Sequence, residues 1–210
     1  MGKGFVIGLT GGLGTGKTTV ALILQDLGLK MISADHIGHQ LLQPGTDAYE
    51  NVTAAFGPEI VRGDGGVDRA VLGKIVFGDP VKRQRLNALT HPAIIGRMKA
   101  EVEELRRRGE DGVVEIPLFF ETKLTKEEAG LDEIWVVATS PETQLARIMA
   151  RDGVDAEEAQ RRIAAQLPLA EKMNRADLVV YNEGKPAELK EEVQKLLVAR
   201  KRAHKFSAGA

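Results

Sequence analysis

Residues 11–18 restrict the fold of this chain more than any other feature. They read Gly-Gly-Leu-Gly-Thr-Gly-Lys-Thr, which completes the pattern G-x-x-x-x-G-K-[ST]. An apolar run at 5–9 precedes the segment, and an amphipathic helical pattern at about 16–27 follows it. Strand, glycine-rich turn and helix in this order predict a phosphate-binding loop, because glycines let backbone N–H groups close around phosphate oxygens and a helix N-terminus favours an anion.

The loop predicts the chemistry of its individual residues. Lys17 is expected to reach the β- and γ-phosphates of a nucleoside triphosphate, and the Thr18 hydroxyl to bind Mg²⁺. The predicted nucleotide-binding residues are Gly12, Leu13, Gly14, Thr15, Gly16, Lys17, Thr18 and Thr19. A dinucleotide fingerprint is the nearest alternative, since a glycine pair also follows a strand, but G-x-G-x-x-G is not completed and Lys17 would be unexplained.

Five short apolar segments alternate with helical patterns along the chain. The predicted strands are 5–9, 29–34, 113–116, 134–138 and 178–181. This alternation predicts an α/β fold of the P-loop NTPase type, with three layers and a mostly parallel five-stranded sheet. The predicted organisation is a nucleotide-binding core of 1–44, 110–139 and 175–203, a helical insert of 45–109, a helical lid of 140–174 and a flexible tail of 204–210.

Caps and prolines divide the first insert into predicted helices. Asp68 is expected to cap a helix over 69–77. Pro80 predicts the start of a second helix, and Pro92 the start of a third that ends in the charged stretch 101–108.

The composition excludes several classes of function. The chain has 29 basic and 30 acidic residues, so no overall field attracts it to nucleic acid or to a membrane surface. It contains no cysteine, which excludes disulfides, thiolate catalysis and cysteine-bound metals and is consistent with a cytoplasmic protein. No apolar stretch approaches the ~20 residues needed to span a bilayer. We expect no nucleic-acid or membrane partner, and a monomer or a weak homo-oligomer.

One carboxylate lies at the end of a predicted strand and another lies within one. Asp35 ends the second strand, where it could accept a proton from an attacking hydroxyl or orient Mg²⁺ through water; it could equally cap a helix over 37–43. Glu115 lies in an apolar strand and is the candidate that supports Mg²⁺ through water, or else it faces solvent at a strand edge.

Arginines concentrate in the predicted lid, at Arg147, Arg151, Arg161 and Arg162. Arg147 and Arg151 are four residues apart and share a helix face. A helical lid with arginines can exclude water and neutralise the charge of a transferring phosphoryl group. Each arginine could instead belong to a solvated helix face.

The chain resembles the dephospho-coenzyme A kinases over nearly its whole length, to about residue 199. The resemblance is carried by Leu-Thr-Gly-Gly-Leu-Gly-Thr-Gly-Lys-Thr-Thr-Val at 9–20, Ala-Asp at 34–35, Leu-Thr-His-Pro at 89–92, Ile-Pro-Leu-Phe-Phe-Glu at 116–121, and the lid residues and the segment after them up to Asn182. The order and spacing of these segments are more specific than the phosphate loop alone.

This resemblance implies that ATP phosphorylates the ribose 3′-hydroxyl of dephospho-coenzyme A, the last step of coenzyme A synthesis. It implies Asp35 as the base, with Lys17 and Arg147 stabilising the transferring group. Asn182 would join the ATP site, and the insert would bind the acceptor. His91, Pro117 and Leu118 would line the acceptor side. The implied cofactors are ATP, as substrate, and Mg²⁺ at Thr18 and, through water, Glu115.

The sequence departs from the family at two positions. The family often has Asp-Ala-Asp where this chain has Ser33-Ala34-Asp35, and it often has Asp where this chain has Glu115. Both changes leave the chemistry intact in principle, and both bear on how Mg²⁺ is arranged.

Three alternatives stay open at the level of sequence. A nucleoside monophosphate kinase would need acceptor-binding arginines, which the first insert could supply. A guanine-nucleotide switch is suggested by Asn-Arg-Ala-Asp at 174–177, although Arg175 replaces the usual lysine. A nucleic-acid ATPase is disfavoured by the absence of a basic excess.

Overall fold

The computed structural model describes residues 4–122 and 124–208. Its strands are β1 (Val6–Gly11), β2 (Lys30–Ser33), β3 (Gly112–Glu115), β4 (Glu133–Ala138) and β5 (Leu178–Tyr181). They form one sheet in the order β2-β3-β1-β4-β5, and every pairing is parallel. The predicted five-stranded α/β fold is confirmed.

Helices occupy most of the remaining chain. They are α1 (Lys17–Asp26), α2 (Ala34–Leu41), α3 (Asp47–Phe56), α4 (Arg69–Phe77), α5 (Pro80–Arg108), α6 (Lys126–Ala129), α7 (Pro141–Asp152), α8 (Ala156–Ala164), α9 (Leu169–Asn174) and α10 (Pro186–Ala208). A 3₁₀ turn spans Pro58–Ile60. Helix α4 starts where the sequence predicts, and Asp68 caps it by accepting from the backbone N–H groups of Ala70 and Val71.

The chain divides into two compact units. The first comprises residues up to Ser33 and from Glu101 onward, and it contains the whole sheet. Helices α1 and α10 pack on one face of the sheet, where Leu24 and Val193 are buried in one apolar cluster with Ile7. Near the end of α5, the Leu105 side chain lies so close to Gly112 of β3 that a Cβ there would be 2.6 Å from its Cδ1.

The second unit spans Ala34–Ala100 and has a small apolar core of its own. That core is formed by Val52, Phe56, Ile60, Val67 and Leu72. This unit begins at Ala34 and therefore includes α2, whereas the sequence predicts an insert of 45–109. Its role in binding an acceptor stays a prediction.

Helix α5 differs from the sequence prediction, which places a helix start at Pro92. The structure has one continuous helix over Pro80–Arg108, with Pro92 inside it. An internal proline costs about 3 kcal/mol because one helical hydrogen bond is lost. Leu86 and Leu89 before it pack on the apolar core of the second unit, and Met98 after it is buried. This packing on both sides of the proline explains why the helix continues.

The predicted lid and the predicted tail can be compared with the structure in part. Residues 140–174 lie in the same compact unit as the sheet. Helix α10 continues to Ala208, and residues 209–210 of the predicted tail lie outside the described residues. Among the helices of the described chain, none has both the length and the apolar character needed to cross a bilayer.

Candidate functional site

The turn between β1 and α1 has the conformation that a phosphate loop requires. Gly16 is the N-cap of α1 and adopts the left-handed conformation, with φ of 87°. A Cβ at Gly16 would overlap the side-chain amide of Asn182. Glycine is therefore needed both for the backbone angle and for the close approach of a neighbouring side chain. Helix α1 starts directly after it at Lys17, while Thr18 and Thr19 in its first turn are exposed.

Side chains hold the carbonyl groups of the loop. The Gly12 carbonyl accepts from Lys17 Nζ at 3.0 Å and from Thr15 Oγ1 at 3.0 Å. The Leu13 carbonyl accepts from Gln144 Nε2 at 2.6 Å. Because side chains occupy these carbonyls, most of the loop N–H groups are left to face an anion. Two N–H groups are exceptions, since Leu13 donates to Gln166 Oε1 at 3.1 Å and Thr15 donates to the Gly12 carbonyl at 3.5 Å.

Arg147 and Asn182 meet at the Thr15 carbonyl. Asn182 Nδ2 donates to that oxygen at 2.9 Å, and Asn182 is buried. Arg147 donates through one guanidinium nitrogen to the same oxygen at 3.5 Å and through the other to the Asn182 carbonyl at 3.0 Å. The structure thus brings these two sequence-predicted residues together, and it joins them to the phosphate loop.

Thr18 and Glu115 also lie together, although they are 97 residues apart in the chain. Thr18 Oγ1 is 3.4 Å from Glu115 Oε1. Both side chains offer hard oxygen donors, the kind of ligand that Mg²⁺ prefers, so the pair suits that cation. Ser33 is the register partner of Glu115 on β2. The two positions where the chain departs from the family that it resembles are therefore adjacent in the sheet.

The other arginines of the predicted lid form ion pairs within that segment. Arg151 Nε lies 2.7 Å from Asp152, and Arg162 bridges Asp152 and Glu158 at 3.0 and 2.8 Å. Hydrogen bonds from Arg151 and Arg162 hold the pKa of Asp152 and of Glu158, respectively, below their usual values. Arg161 pairs with Glu158. In this structure, Arg147 differs from these three because it contacts the loop rather than lid carboxylates.

A buried ion pair connects the loop with two more distant segments. Lys172 on α9 is fully buried, and its Nζ lies 2.6 Å from Glu121 Oε1. The same Nζ is 3.4 Å from the Gly11 carbonyl, and Glu121 Oε1 accepts from the Leu167 N–H at 3.1 Å. Arg175 stacks on Phe120, the residue before Glu121, at 4.6 Å from the ring centroid.

The predicted acceptor-side residues fall in both units. Pro117 and Leu118 follow β3; Leu118 is exposed, and the Pro117 carbonyl accepts from Thr10 Oγ1 at 3.2 Å. Asp35 is exposed in the second unit, in the first turn of α2. Since α2 begins at Ala34, Asp35 does not cap a helix over 37–43. His91 lies on α5 in the same unit, and burial lowers its pKa.

Sequence reasoning did not single out Gln144 or Lys172. Gln144 precedes Arg147 by three residues and therefore shares its helix face, a signal that could have identified it. The loop carbonyl that Lys172 contacts is 161 residues away, and no local pattern indicates such a contact. Asp177 of the switch-like segment is structural here, because its carboxylate accepts from the Ile134 N–H and pairs with Lys126. Within the described residues, no cluster of three or more His, Cys, Asp or Glu side chains could hold a metal ion.

Known proteins are similar to the chain over nearly its full length. The model of the dephospho-CoA kinase family matches residues 5–188. A dephospho-CoA kinase of Carboxydothermus hydrogenoformans is 46% identical over 193 residues, covering 91% of this chain and 92% of the relative. One of Geobacillus kaustophilus is 47% identical, covering 92% and 93%.

The comparison with solved structures also finds a dephospho-CoA kinase. A dephospho-CoA kinase from Campylobacter jejuni superposes with a TM-score of 0.72 and 30% identity, covering 95% of this chain and 98% of that one. A shikimate kinase from Acinetobacter baumannii superposes with a TM-score of 0.54 at 17% identity, and this likeness concerns the fold alone. The family match and the relatives together show that this chain belongs to the dephospho-CoA kinase family.

Proposed function

We propose that this protein transfers the γ-phosphoryl group of ATP to the ribose 3′-hydroxyl of dephospho-coenzyme A. Membership of the family supports the activity. The observation that carries the chemistry is the loop itself, whose carbonyls are held by Lys17, Gln144, Asn182 and Arg147. A loop fixed in this way can bind a triphosphate through its N–H groups, which is the first requirement of a phosphoryl-transfer enzyme.

Lys17 and Arg147 are the proposed electrostatic groups. Lys17 donates to the Gly12 carbonyl in this structure, and we propose that it turns to the β- and γ-phosphates when ATP binds. Arg147 donates only to carbonyl oxygens in its described hydrogen bonds, so its positive charge has no carboxylate neighbour that would neutralise it there. Both cations can therefore balance the charge that spreads over the transferring oxygens.

Mg²⁺ is part of the proposal. Thr18 would bind it directly, and Glu115, whose Oε1 lies 3.4 Å from the Thr18 hydroxyl, would bind it through water. When bound, the cation neutralises phosphate charge and fixes the geometry of the triphosphate. The longer Glu115 side chain beside Ser33 is suited to the part that an aspartate often has in the family.

Asp35 is the proposed general base. It follows β2 by two residues, and β2 pairs in parallel with β3, which ends at Glu115. The carboxyl ends of parallel strands border the ligand crevice of such sheets. In the proposed step, the 3′-oxygen forms a bond to the γ-phosphorus as the bond from that phosphorus to the β,γ-bridging oxygen breaks. The hydroxyl proton passes to Asp35, and ADP leaves with the bridging oxygen.

The remaining assignments belong to the same proposal. Asn182 and the loop residues up to Thr19 would contact ATP, and His91, Pro117 and Leu118 would line the acceptor side. The exposed apolar surface of Leu118 supports such a contact. We also propose a cytoplasmic enzyme that acts as a monomer or a weak homo-oligomer and has no nucleic-acid or membrane partner.

A coupled assay of ADP release tests the proposal. The protein is incubated with ATP and Mg²⁺ alone, with dephospho-coenzyme A, with AMP and with CMP, and coenzyme A is measured separately. We expect ADP release to depend on dephospho-coenzyme A and coenzyme A to appear in equal amount. Stimulation by a monophosphate only would favour a nucleotide kinase, and release without any acceptor would contradict phosphoryl transfer to a small molecule.

A further inference from the structure

A cavity in the second unit is lined by basic side chains that the proposed function does not use. Its volume is about 320 Å³, and its walls include His39, Gln43, Arg62, Asp68 and Arg69. All of these residues lie within Ala34–Ala100. The volume is at the lower end of the range for ligand pockets, so it suits one chemical group of a larger molecule.

Arg69 lies in the cavity wall and contacts a histidine instead of a carboxylate. Its guanidinium lies 3.2 Å from His39 Nδ1, and no acidic side chain forms an ion pair with it in the described part of the chain. Since a guanidinium can only donate, His39 Nδ1 must accept, which places the imidazole proton on Nε2. Burial, together with the nearby Arg69, lowers the pKa of His39 below its ordinary value. The histidine therefore orients Arg69 and leaves its charge unbalanced.

Arg62 is held at another wall of the cavity. It pairs with Asp64 through Nε and NH2, each 3.3 Å from a carboxylate oxygen. Its guanidinium lies across Gly66, where a Cβ would come within 2.7 Å of NH2. The pairing uses only part of the five-donor fork, so N–H groups of Arg62 remain for a ligand.

Charge in the cavity favours an anion. Asp68 is the acidic residue in its walls, and that carboxylate already accepts from two backbone N–H groups at the start of α4. Asp64 neutralises Arg62 in part. What remains is the positive charge of Arg69 beside the donors of Arg62, which is the arrangement that binds phosphate oxygens well.

The position of the cavity relative to Asp35 suits the diphosphate of the acceptor. His39 and Asp35 are both on α2, four residues apart, so they lie on one face of the helix about 6 Å apart along its axis. In dephospho-coenzyme A, a single ribose separates the reacting 3′-hydroxyl from the 5′-diphosphate. A ribose bound beside Asp35 would therefore bring its diphosphate to about the level of His39. ATP has its own phosphate site in the other unit.

We infer that this cavity is the binding site for the diphosphate of the acceptor, with Arg69 as its principal ligand and Arg62 as the second. The inference rests on the proposed function, since it uses Asp35 as the base beside the 3′-hydroxyl. It adds a specificity determinant: an acceptor without a diphosphate loses these contacts.

Steady-state kinetics of Arg69→Gln and Arg62→Gln test the inference. Arg85→Gln is the matched control, because Arg85 is an exposed arginine of the same unit that is not part of the cavity wall. We expect the KM for dephospho-coenzyme A to rise at least about tenfold in Arg69→Gln and less in Arg62→Gln, with the KM for ATP unchanged. The Ki of adenosine, as a competitive inhibitor against dephospho-coenzyme A, should stay the same because adenosine lacks the diphosphate.

The outcomes separate this inference from the proposed function. If the wild-type protein does not phosphorylate dephospho-coenzyme A, the proposed function fails. If it does, but Arg69→Gln leaves the KM for that acceptor within twofold, the diphosphate site is wrong. An equal loss for adenosine would also overturn it, since the effect would not act through the diphosphate. Should Arg69→Gln not fold, Arg69→Lys serves instead, and it should raise the acceptor KM by a smaller factor.

Discussion

Lys172 and Glu121 form an ion pair in the interior of the first unit, with Nζ 2.6 Å from Oε1 and the lysine fully buried. The pair brings together α9, the segment after β3, and the first residue of the phosphate loop. One carboxylate oxygen, Glu121 Oε2, is buried without a hydrogen-bond partner. The Glu121 charge therefore depends on Lys172 for most of its compensation.

Replacing Lys172 with methionine should destabilise the protein by up to about 3–5 kcal/mol, because the largely buried Glu121 carboxylate would lose its ion-pair partner. Urea unfolding measures the change. Lys195→Met is the control, since that exposed lysine sits 4.0 Å from Glu191 and should contribute less than about 0.5 kcal/mol. The double variant Lys172→Met with Glu121→Leu should recover much of the loss. A loss below about 1 kcal/mol in the single variant would contradict this account of the pair.

Lys17→Ala should weaken both ATP binding and turnover. The Lys17 ammonium group donates to the Gly12 carbonyl of the loop, and from that position it can reach the triphosphate. We expect kcat/KM for ATP to fall about 10²-fold or more. Calorimetric titration with an ATP analogue and a turnover assay check the two effects separately, with the exposed Lys185→Ala as control. Unchanged affinity together with unchanged turnover would refute the assignment of the phosphate loop.

Asp35→Asn should retain ATP binding and lose most turnover, by about 10²- to 10⁴-fold, because the amide cannot accept the hydroxyl proton. The substitution preserves shape, so stability should change little. Asp47→Asn, at another exposed helix start in the same unit, should have near-normal activity. Near-normal turnover of Asp35→Asn, measured at saturating acceptor, would remove Asp35 from the role of base.

Arg147→Met should lower kcat about 10²-fold, whereas Arg161→Met should leave it nearly unchanged. Arg147 contacts the carbonyls of Thr15 and Asn182, while Arg161 pairs with Glu158. Single-turnover measurements with bound ATP isolate the chemical step. If the two variants lost activity equally, the distinction between the loop arginine and the lid ion pairs would be wrong.

His91 should make stability depend on pH in the weakly acidic range. Burial lowers its pKa in the folded protein below the ordinary value of 6.5. As the pH falls, His91 is therefore protonated in the unfolded chain at a higher pH than in the folded protein. The free energy of unfolding decreases below about pH 6.5, and the decrease ends once the pH is below the pKa of His91 in the folded protein. The fall in unfolding free energy from about pH 7.5 to about pH 5.5, measured with urea, should be smaller in His91→Gln than in the wild type. Equal falls in the two proteins would contradict a role for His91.

Local sequence patterns predicted the strands of the sheet and the phosphate loop, because each of these segments consists of residues that are consecutive in the chain. The apolar strands, the glycine loop and the Asp68 cap each occupy a few consecutive positions. Pro92 is a case where a local rule failed, since packing of Leu86, Leu89 and Met98 outweighs one missing hydrogen bond. The residues missed in the site share another property. Gln144 contacts a loop carbonyl 131 residues away, a relationship that only the folded chain creates.

The supported carbonyls of the phosphate loop have a thermodynamic consequence for its ligand. Gly11, Gly12, Leu13 and Thr15 each present a carbonyl that accepts from a side chain. The backbone dipoles are therefore oriented when the chain folds rather than when the nucleotide arrives. Binding then loses little conformational entropy in the protein, so more of the interaction energy is retained as affinity. An arriving triphosphate meets a receptor that is already ordered.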